Sequence, residues 1–278
     1  MTDGERYEIH CPKKYLSYEE KDEYRVFWAE DACGCGKANW GVLKQANGMD
    51  KSLDSIEARL KQAGAVCRIY SAPDSIPLEE CQALLQRRGY VIEQQECWRL
   101  TQCLEPSPFF VQRKCQVRTV TSALDGNLAV LVKEYAGSDG LALANRQIKA
   151  GARAFFALNR AEIPVSCCFG MGYGSAFRLW GLYTAPNQRK KGYGAAALLA
   201  AVEFAPFGKG RFSRWKTKAL EGLPSCGKGE KVNGIVCRTG IDAAVSGVLS
   251  FCDGRNRAGK SGFGGRKSGR SDAGGSGA

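Results

Sequence analysis

The stretch "LYTAPNQRKKGYGAAALL", residues 182–199, constrains this chain more than any other. An apolar, aromatic run, "AFRLWGLYT", leads into it. A proline, three basic residues and two glycines follow, and then an alanine- and leucine-rich run begins. Strand, basic turn and helix is the expected order. Gly192 and Gly194 let the backbone turn sharply and approach a ligand closely. The first turn of a helix carries unpaired N–H groups at the positive end of its dipole. Arg189, Lys190 and Lys191 add charge at the same place, so the turn has the makings of an anion nest. A plain strand-to-helix loop with a solvated basic face fits the same spacing, and the residues alone leave the two readings open. A Walker A loop does not fit, because no Gly-Lys-Ser/Thr follows. Neither does a dinucleotide fingerprint, which belongs after a first strand with an acid about 20 positions on.

The segment before this turn is regular enough to place it. "CQVRTV", 115–120, reads as a strand, and Thr121 or Ser122 as the cap of a helix. That helix carries Leu124, Leu128, Leu131, Val132 and Tyr135 on one stripe. A second helix starts at Asp139. "ARAFFALN" and "IPVSCCFGMGYG" read as a hairpin around "RAEI". The order from 115 to 205 is β-α-α-β-β-β-α.

The "YTAPNQRKKGYGAAALLAAVEFA" stretch resembles the acetyl-CoA-binding motif of the GCN5-related N-acetyltransferase family, Arg/Gln-x-x-Gly-x-Gly/Ala after a strand and a Thr/Val-x-Pro. Here Thr184-x-Pro186 precedes Arg189-x-x-Gly192-x-Gly194. The resemblance covers about 90 residues, 115–205, and implies an α/β, α+β mixed-sheet fold of the acyl-CoA N-acyltransferase type. It implies acetyl-CoA as cosubstrate, no metal, and an amine as acceptor. Backbone amides of Lys190, Lys191, Gly192, Tyr193, Gly194 and Ala195, beside Arg189, would hold the pyrophosphate. Leu182, Tyr183 and Thr184 would hydrogen-bond the pantetheine arm. The amine attacks only when neutral, so the family uses a base for the ammonium proton and an acid, often a tyrosine beyond this helix, for the leaving thiolate. Neither is assigned from sequence: Tyr183 fits packing as well as chemistry, and Glu203 fits a solvated helix face.

Upstream, a helix capped by Asp54 or Ser55 and ending near Gly64 is predicted, then a strand over 65–72. A helix begins at Pro77 with Leu78, Cys81, Leu84 and Leu85 on one face, and a strand follows over 91–100. This run is similar to the C-terminal arm of the same fold, closed by Arg87-Arg88-Gly89-Tyr90, without a phosphate turn of its own. It points to a degenerate N-terminal unit, 1–105, of a tandem arrangement; an unrelated α/β cap is the alternative. Pro106 and Pro108 mark the boundary before the core unit, 113–205. Residues 1–50 are weakly patterned, with one strand signal at 23–29.

After Ala205 the family pattern stops. Residues 206–278 hold 17 of the 34 glycines and 14 Lys and Arg against 5 Asp and Glu, so most of the net charge of +12 lies there. The tail reads as irregular or disordered. A shift of reading frame near Ala205 is one account. Trp215-Lys216-Thr217, read from the third base of the tryptophan codon, encodes Glu then Asp or Asn, after Leu, Met or Val. The family's next strand characteristically ends in Val-Glu with Asn shortly after. A second functional class, nucleic-acid binding through the basic tail with Phe212, Trp215 and Phe263 for stacking, competes with the enzyme reading. A third reading is a non-catalytic CoA-binding protein.

Thirteen cysteines are scattered and odd in number, which argues for reduced thiols packed as small hydrophobes. "CGCG", with Cys33 and Cys35, has only Cys11 and His10 near it in sequence and makes a poor zinc site. Neither an apolar leader nor a spanning segment is apparent, so no membrane association and a cytoplasmic location are expected.

Overall fold

The computed structural model describes residues 1, 3–99, 115–174, 176–205 and 230–239. The elements run α1 (Asp3–His10), β1 (Ser17–Glu20), β2 (Tyr24–Trp28), β3 (Trp40–Leu43), α2 (Met49–Gln62), β4 (Arg68–Tyr70), α3 (Leu78–Arg87) and β5 (Tyr90–Arg99). After the gap come β6 (Val117–Val120), α4 (Gly126–Lys149), β7 (Arg153–Leu158), β8 (Pro164–Tyr173), β9 (Ala176–Thr184), α5 (Tyr193–Phe204) and β10 (Glu230–Thr239). They form two sheets, one ordered β1-β2-β3-β4-β10-β5 and one ordered β6-β7-β8-β9.

The first sheet is mixed: β3 and β4 run parallel, joined through α2, and the other pairs are antiparallel. Its core is large and branched. Leu53, Ile56 and Leu60 of α2 and Leu85 of α3 are fully buried against Val26, Leu43 and Ile69. Gly41 of β3 sits under Ile56; a Cβ there would lie 2.5 Å from Ile56 Cγ2.

The second sheet is antiparallel throughout and lies between two helices. One face, with Ala154, Phe156, Cys167 and Phe169, packs against Leu128, Leu131 and Val132 of α4. The other, with Phe155, Ala157 and Cys168, packs against Ala196, Ala197, Ala200 and Ala201 of α5. The alternation along β7 and β8 follows the two-residue period of a pleated strand.

Several predicted boundaries move. Helix α2 starts at Met49, after Gly48, not at Asp54 or Ser55, and β4 spans only Arg68–Tyr70. Pro77 is the residue before α3 rather than its first. Helix α4 starts at Gly126, after Asp125, so neither Thr121 nor Ser122 caps it. The two predicted helices both form within α4: Gly137, with a non-helical φ of 72° and ψ of −177°, separates them two residues before the predicted start at Asp139. The weakly patterned first 50 residues hold α1 and three strands; β1 is mostly exposed, which hid it from a hydrophobic-pattern reading.

One expectation for the tail is corrected. Glu230–Thr239 is a strand between β4 and β5, where its backbone completes both ladders. The β-branched "KVNGIV" run carries that strand propensity inside a glycine-rich composition. The rest of the tail, with the frameshift and nucleic-acid readings, and the Pro106–Pro108 boundary lie outside the described residues.

The two sheets share contacts. Leu143 of α4 packs with Phe27, Ala29, Ala32 and Ala38. Tyr7 and Cys11 pack with Ala152 and Met171. Arg146 pairs with Asp31 at 2.7 Å. The CGCG turn belongs to this contact. Asn39, fully buried, donates through Nδ2 to the carbonyls of Ala32, Cys33 and Cys35 and accepts from the Ala29 N–H. The Gly34 N–H donates to Asp139 Oδ2 at 2.6 Å. A Cβ at Gly34 would clash with that carboxylate, so glycine there permits the close approach.

Candidate functional site: the turn between β9 and α5

The site begins with a defect in the sheet. Cys167 pairs with Tyr183 and Phe169 with Trp180, so two steps along β8 span three along β9. The extra residue falls at Gly181, which has φ 64° and lies over the Phe169 ring; a Cβ would be 2.7 Å from Phe169 Cδ2. This is the glycine-type bulge that bends a strand and re-aims its end. Beyond it, the Ala185 N–H donates to Val165 O at 2.9 Å. Antiparallel pairing alternates, so the Thr184 backbone groups face away from β8. Arg189 Nε donates to that outward Thr184 carbonyl at 3.3 Å. β9 is the last strand of its sheet among the described residues, which leaves this edge available to an extended ligand.

A single 3-10 turn, Pro186–Gln188, then carries the chain over to α5. Lys190 has φ 63°, a left-handed conformation unusual for a side-chain-bearing residue. Gly192 follows at φ 87° and is the residue from which α5 starts. The first N–H to close a helical bond is that of Ala196, onto Gly192 O at 3.0 Å. No side chain caps the helix, and its first turn has no acid. The N–H groups of Tyr193, Gly194 and Ala195 therefore stand at the start of α5 beside Arg189, Lys190 and Lys191, all exposed.

Gly194 holds α5 close to β9. A Cβ there would lie 2.9 Å from Thr184 Oγ1, within a cluster where Ser166 Oγ donates to Tyr183 O at 2.6 Å and lies 2.9 Å from Thr184 Oγ1. The alanine face of α5 permits the same approach along its length. The two motif glycines thus serve different ends: Gly192 the backbone conformation, Gly194 the close packing.

Tyr183 points to the other face of the sheet. Its ring lies 5.3 Å from that of Tyr135, and its hydroxyl donates to Glu134 Oε1 at 2.7 Å. Burial, and then the Glu134 carboxylate, push its phenol up to about 12, so it is neutral at physiological pH. Glu134 was not singled out from sequence, and no periodic signal marks it. A cavity of about 570 Å³ opens beside this pair, between α4, the β7–β8 turn and the Pro186–Gln188 turn. Glu203 is exposed on α5.

The cysteines supply no reactive thiolate here. Burial pushes Cys168 up to about 12, and Cys167 is raised as well. Cys11, Cys33, Cys35, Cys67, Cys81, Cys115, Cys167 and Cys168 are free thiols. Among the described residues no group of three or more His, Cys, Asp or Glu is arranged to hold a metal, and no helix is long and apolar enough to cross a membrane.

No family model and no curated protein matches the sequence. Solved structures do match. A GCN5-related N-acetyltransferase from Kribbella flavida superposes with a TM-score of 0.56 at 13% identity, over 84% of this chain and 92% of that one. The chain has the GCN5-related N-acetyltransferase fold. A tandem acetyltransferase-family protein from the clavulanic acid biosynthesis pathway is also similar, with a TM-score of 0.46 at 13% identity, over 79% of each chain. A third similar structure, a GCN5-related N-acetyltransferase from Sphaerobacter thermophilus, has a TM-score of 0.44 at 14% identity, over 81% of this chain and 84% of that one.

Proposed function

We propose that the chain binds acetyl-CoA at the β9–α5 turn and transfers its acetyl group to an amine. One observation carries this reading: an uncapped, acid-free helix start entered through two left-handed positions, Lys190 and Gly192, on either side of Lys191, with three exposed cations around it. That donor set fits a pyrophosphate. Its oxygens would accept from the backbone N–H groups of 190–195, while Arg189, Lys190 and Lys191 offset its charge. The Gly194 contact supports the fit, since even a Cβ there would lie 2.9 Å from Thr184 Oγ1 and a larger side chain would crowd the strand.

The outward backbone of Thr184, with Leu182 and Tyr183 before it, would pair with the amides of the pantetheine arm along the β9 edge. Arg189 would release the Thr184 carbonyl to make room. The bound thioester supplies the acyl group. The acceptor must lose its ammonium proton before it attacks, and a direct transfer then forms the amide and releases the CoA thiol.

Release of free thiol from acetyl-CoA across a panel of amines tests this directly. Amine-dependent thiol release that disappears in Gly192→Val is the expected result. Saturable acetyl-CoA binding with no thiol release from any amine would leave a binding protein rather than an enzyme.

A further inference from the structure

The two sheets meet along a seam, and Tyr15 lies in it. Tyr15 packs both with the group that holds Cys35 and Ala38 and with the group that holds Cys11, Met171 and Trp180. Each group has a cation beside it. Lys37 stands between Cys35 and Ala38 in the turn. Arg178 is two residues before Trp180 on β9, so the two side chains share a face of the sheet. The Arg178 charge acts on Tyr7, Cys11 and Tyr15 as well as on Lys37.

Both residues are exposed, and neither side chain has a hydrogen-bond or ion-pair partner among the described residues. The protein around Lys37 desolvates its ammonium and holds it down to about 8; the Cys35 thiol opposes this and the Arg178 guanidinium adds to it. Open to solvent yet desolvated, Lys37 stands in a cleft rather than on a convex surface. Asp139, the carboxylate that reaches this turn, accepts from the Gly34 N–H at 2.6 Å instead. The turn is held in place by Asn39, which donates to the carbonyls of Ala32, Cys33 and Cys35.

We propose that this seam is a binding site for a small organic acid, whose carboxylate is held between Lys37 and Arg178 and whose apolar body lies against Tyr15 and Trp180. Two unpaired cations side by side repel each other, and an anion between them offsets that repulsion. Arg178 offers a fork that meets both oxygens of a carboxylate, while Lys37 offers a point charge. Aromatic walls add contact area to an organic body and nothing to a hydrated inorganic ion. A multiply charged phosphate is better matched by the three cations and backbone N–H groups of the β9–α5 turn, which leaves the pair in the seam to a singly charged acid. Arg178 lies about 20 Å along β9 from Thr184, so the site stands whether or not acetyl-CoA binds at that turn.

The test is calorimetry on the full-length protein at neutral pH, without acetyl-CoA. The probe is phenylacetate, and the control is phenylacetamide, its uncharged analogue of the same shape. The acid is expected to bind about tenfold more tightly than the amide, in keeping with charge-assisted hydrogen bonds. Lys37→Gln and Arg178→Gln should each remove that preference without lowering the unfolding midpoint, because the charges removed are unpaired. Arg189→Gln should bind phenylacetate as the native protein does. Equal affinity for acid and amide, or no binding of either, would overturn the proposal. So would a preference that survives both seam variants, one lost in Arg189→Gln instead, or tighter binding of phenyl phosphate than of phenylacetate. Acetyl-CoA is titrated separately and should bind both seam variants as it binds the native protein. A protein that binds phenylacetate but not acetyl-CoA loses the cofactor reading and keeps this site.

Discussion

Two of the strand-to-helix turns enter their helix from a left-handed glycine, and they differ in what surrounds the same backbone. β3 enters α2 through Gly48 at φ 73°, and β9 enters α5 through Gly192 at φ 87°; neither helix has a side-chain cap. At the first turn, Asp50 sits in the opening of α2. Arg88 bridges Asp50, Asp54 and Glu57 at 2.9, 2.6 and 3.4 Å. The helix dipole already has its negative partner, and the cation is spent on carboxylates. At the second turn the opening of α5 has no acid, and the three cations are exposed. The packing is inverted as well. At α2 the glycine is on the strand, Gly41, and the helix contributes large side chains; at α5 the glycine is on the helix, Gly194, and the strand contributes Thr184. One turn is built as a packing joint, the other as a cradle. A left-handed glycine before a helix is therefore not sufficient for an anion site; the charge around it decides.

Breaking the packing joint has the largest expected effect. Leu53→Ala, at a fully buried position of α2, should cost about 2–5 kcal/mol of stability, read from urea unfolding, and leave the acetyl-CoA affinity of the folded protein unchanged. A parallel loss of affinity would mean that the two turns are not separable. Removing the cations of the cradle comes next. The triple variant Arg189→Gln, Lys190→Gln, Lys191→Gln should weaken acetyl-CoA about tenfold, equivalent to about 1.4 kcal/mol, and flatten the salt dependence of binding. Its unfolding midpoint should hardly move, because exposed cations contribute little to folding. An unchanged affinity would assign those charges to a solvated surface.

How much of this was legible in the sequence follows from what each part depends on. The β-α-α-β-β-β-α order of 115–205 was legible, because Leu128, Leu131 and Val132 on α4 and the alternation in "RAFFAL" are local signals of which face is buried. The turn at Gly192 was legible for the same reason: a conformation that needs glycine leaves a glycine. Helix starts were not. Asp54 and Ser55 offered caps that the chain does not use, since the turn at Gly48 begins α2 about two turns earlier. The likeness between the Gly48 and Gly192 turns was also hidden, because the acids that neutralise the first one removed the basic signature. Glu134, Asn39 and the Arg146–Asp31 pair depend on residues brought together from separate elements, and no spacing in one segment encodes that. The strand at 230–239 was masked by the glycine-rich composition around it.

The smallest effect concerns Tyr183. Its phenol in the folded protein is raised to about 12, against about 10 for an unfolded tyrosine. The stabilisation linked to it is fully present below about pH 10 and is lost as pH rises through about 12. Ultraviolet titration of the folded protein should show a tyrosinate transition near 12 that is missing in Tyr183→Phe, and Glu134→Gln should lower that midpoint by removing the adjacent negative charge. A Tyr183 midpoint at the unperturbed value would contradict the Glu134 contact.

Calorimetric titration of acetyl-CoA into the native protein, Gly192→Val and Gly48→Val tests the contrast most directly. Each variant forces a branched side chain into a left-handed position, at a comparable cost to folding of about 1–2 kcal/mol. Saturable binding by the native protein and by Gly48→Val, with none detectable in a folded Gly192→Val, is the predicted result. Equal affinity in all three, or loss in Gly48→Val alone, would contradict the assignment of the cradle to the β9–α5 turn.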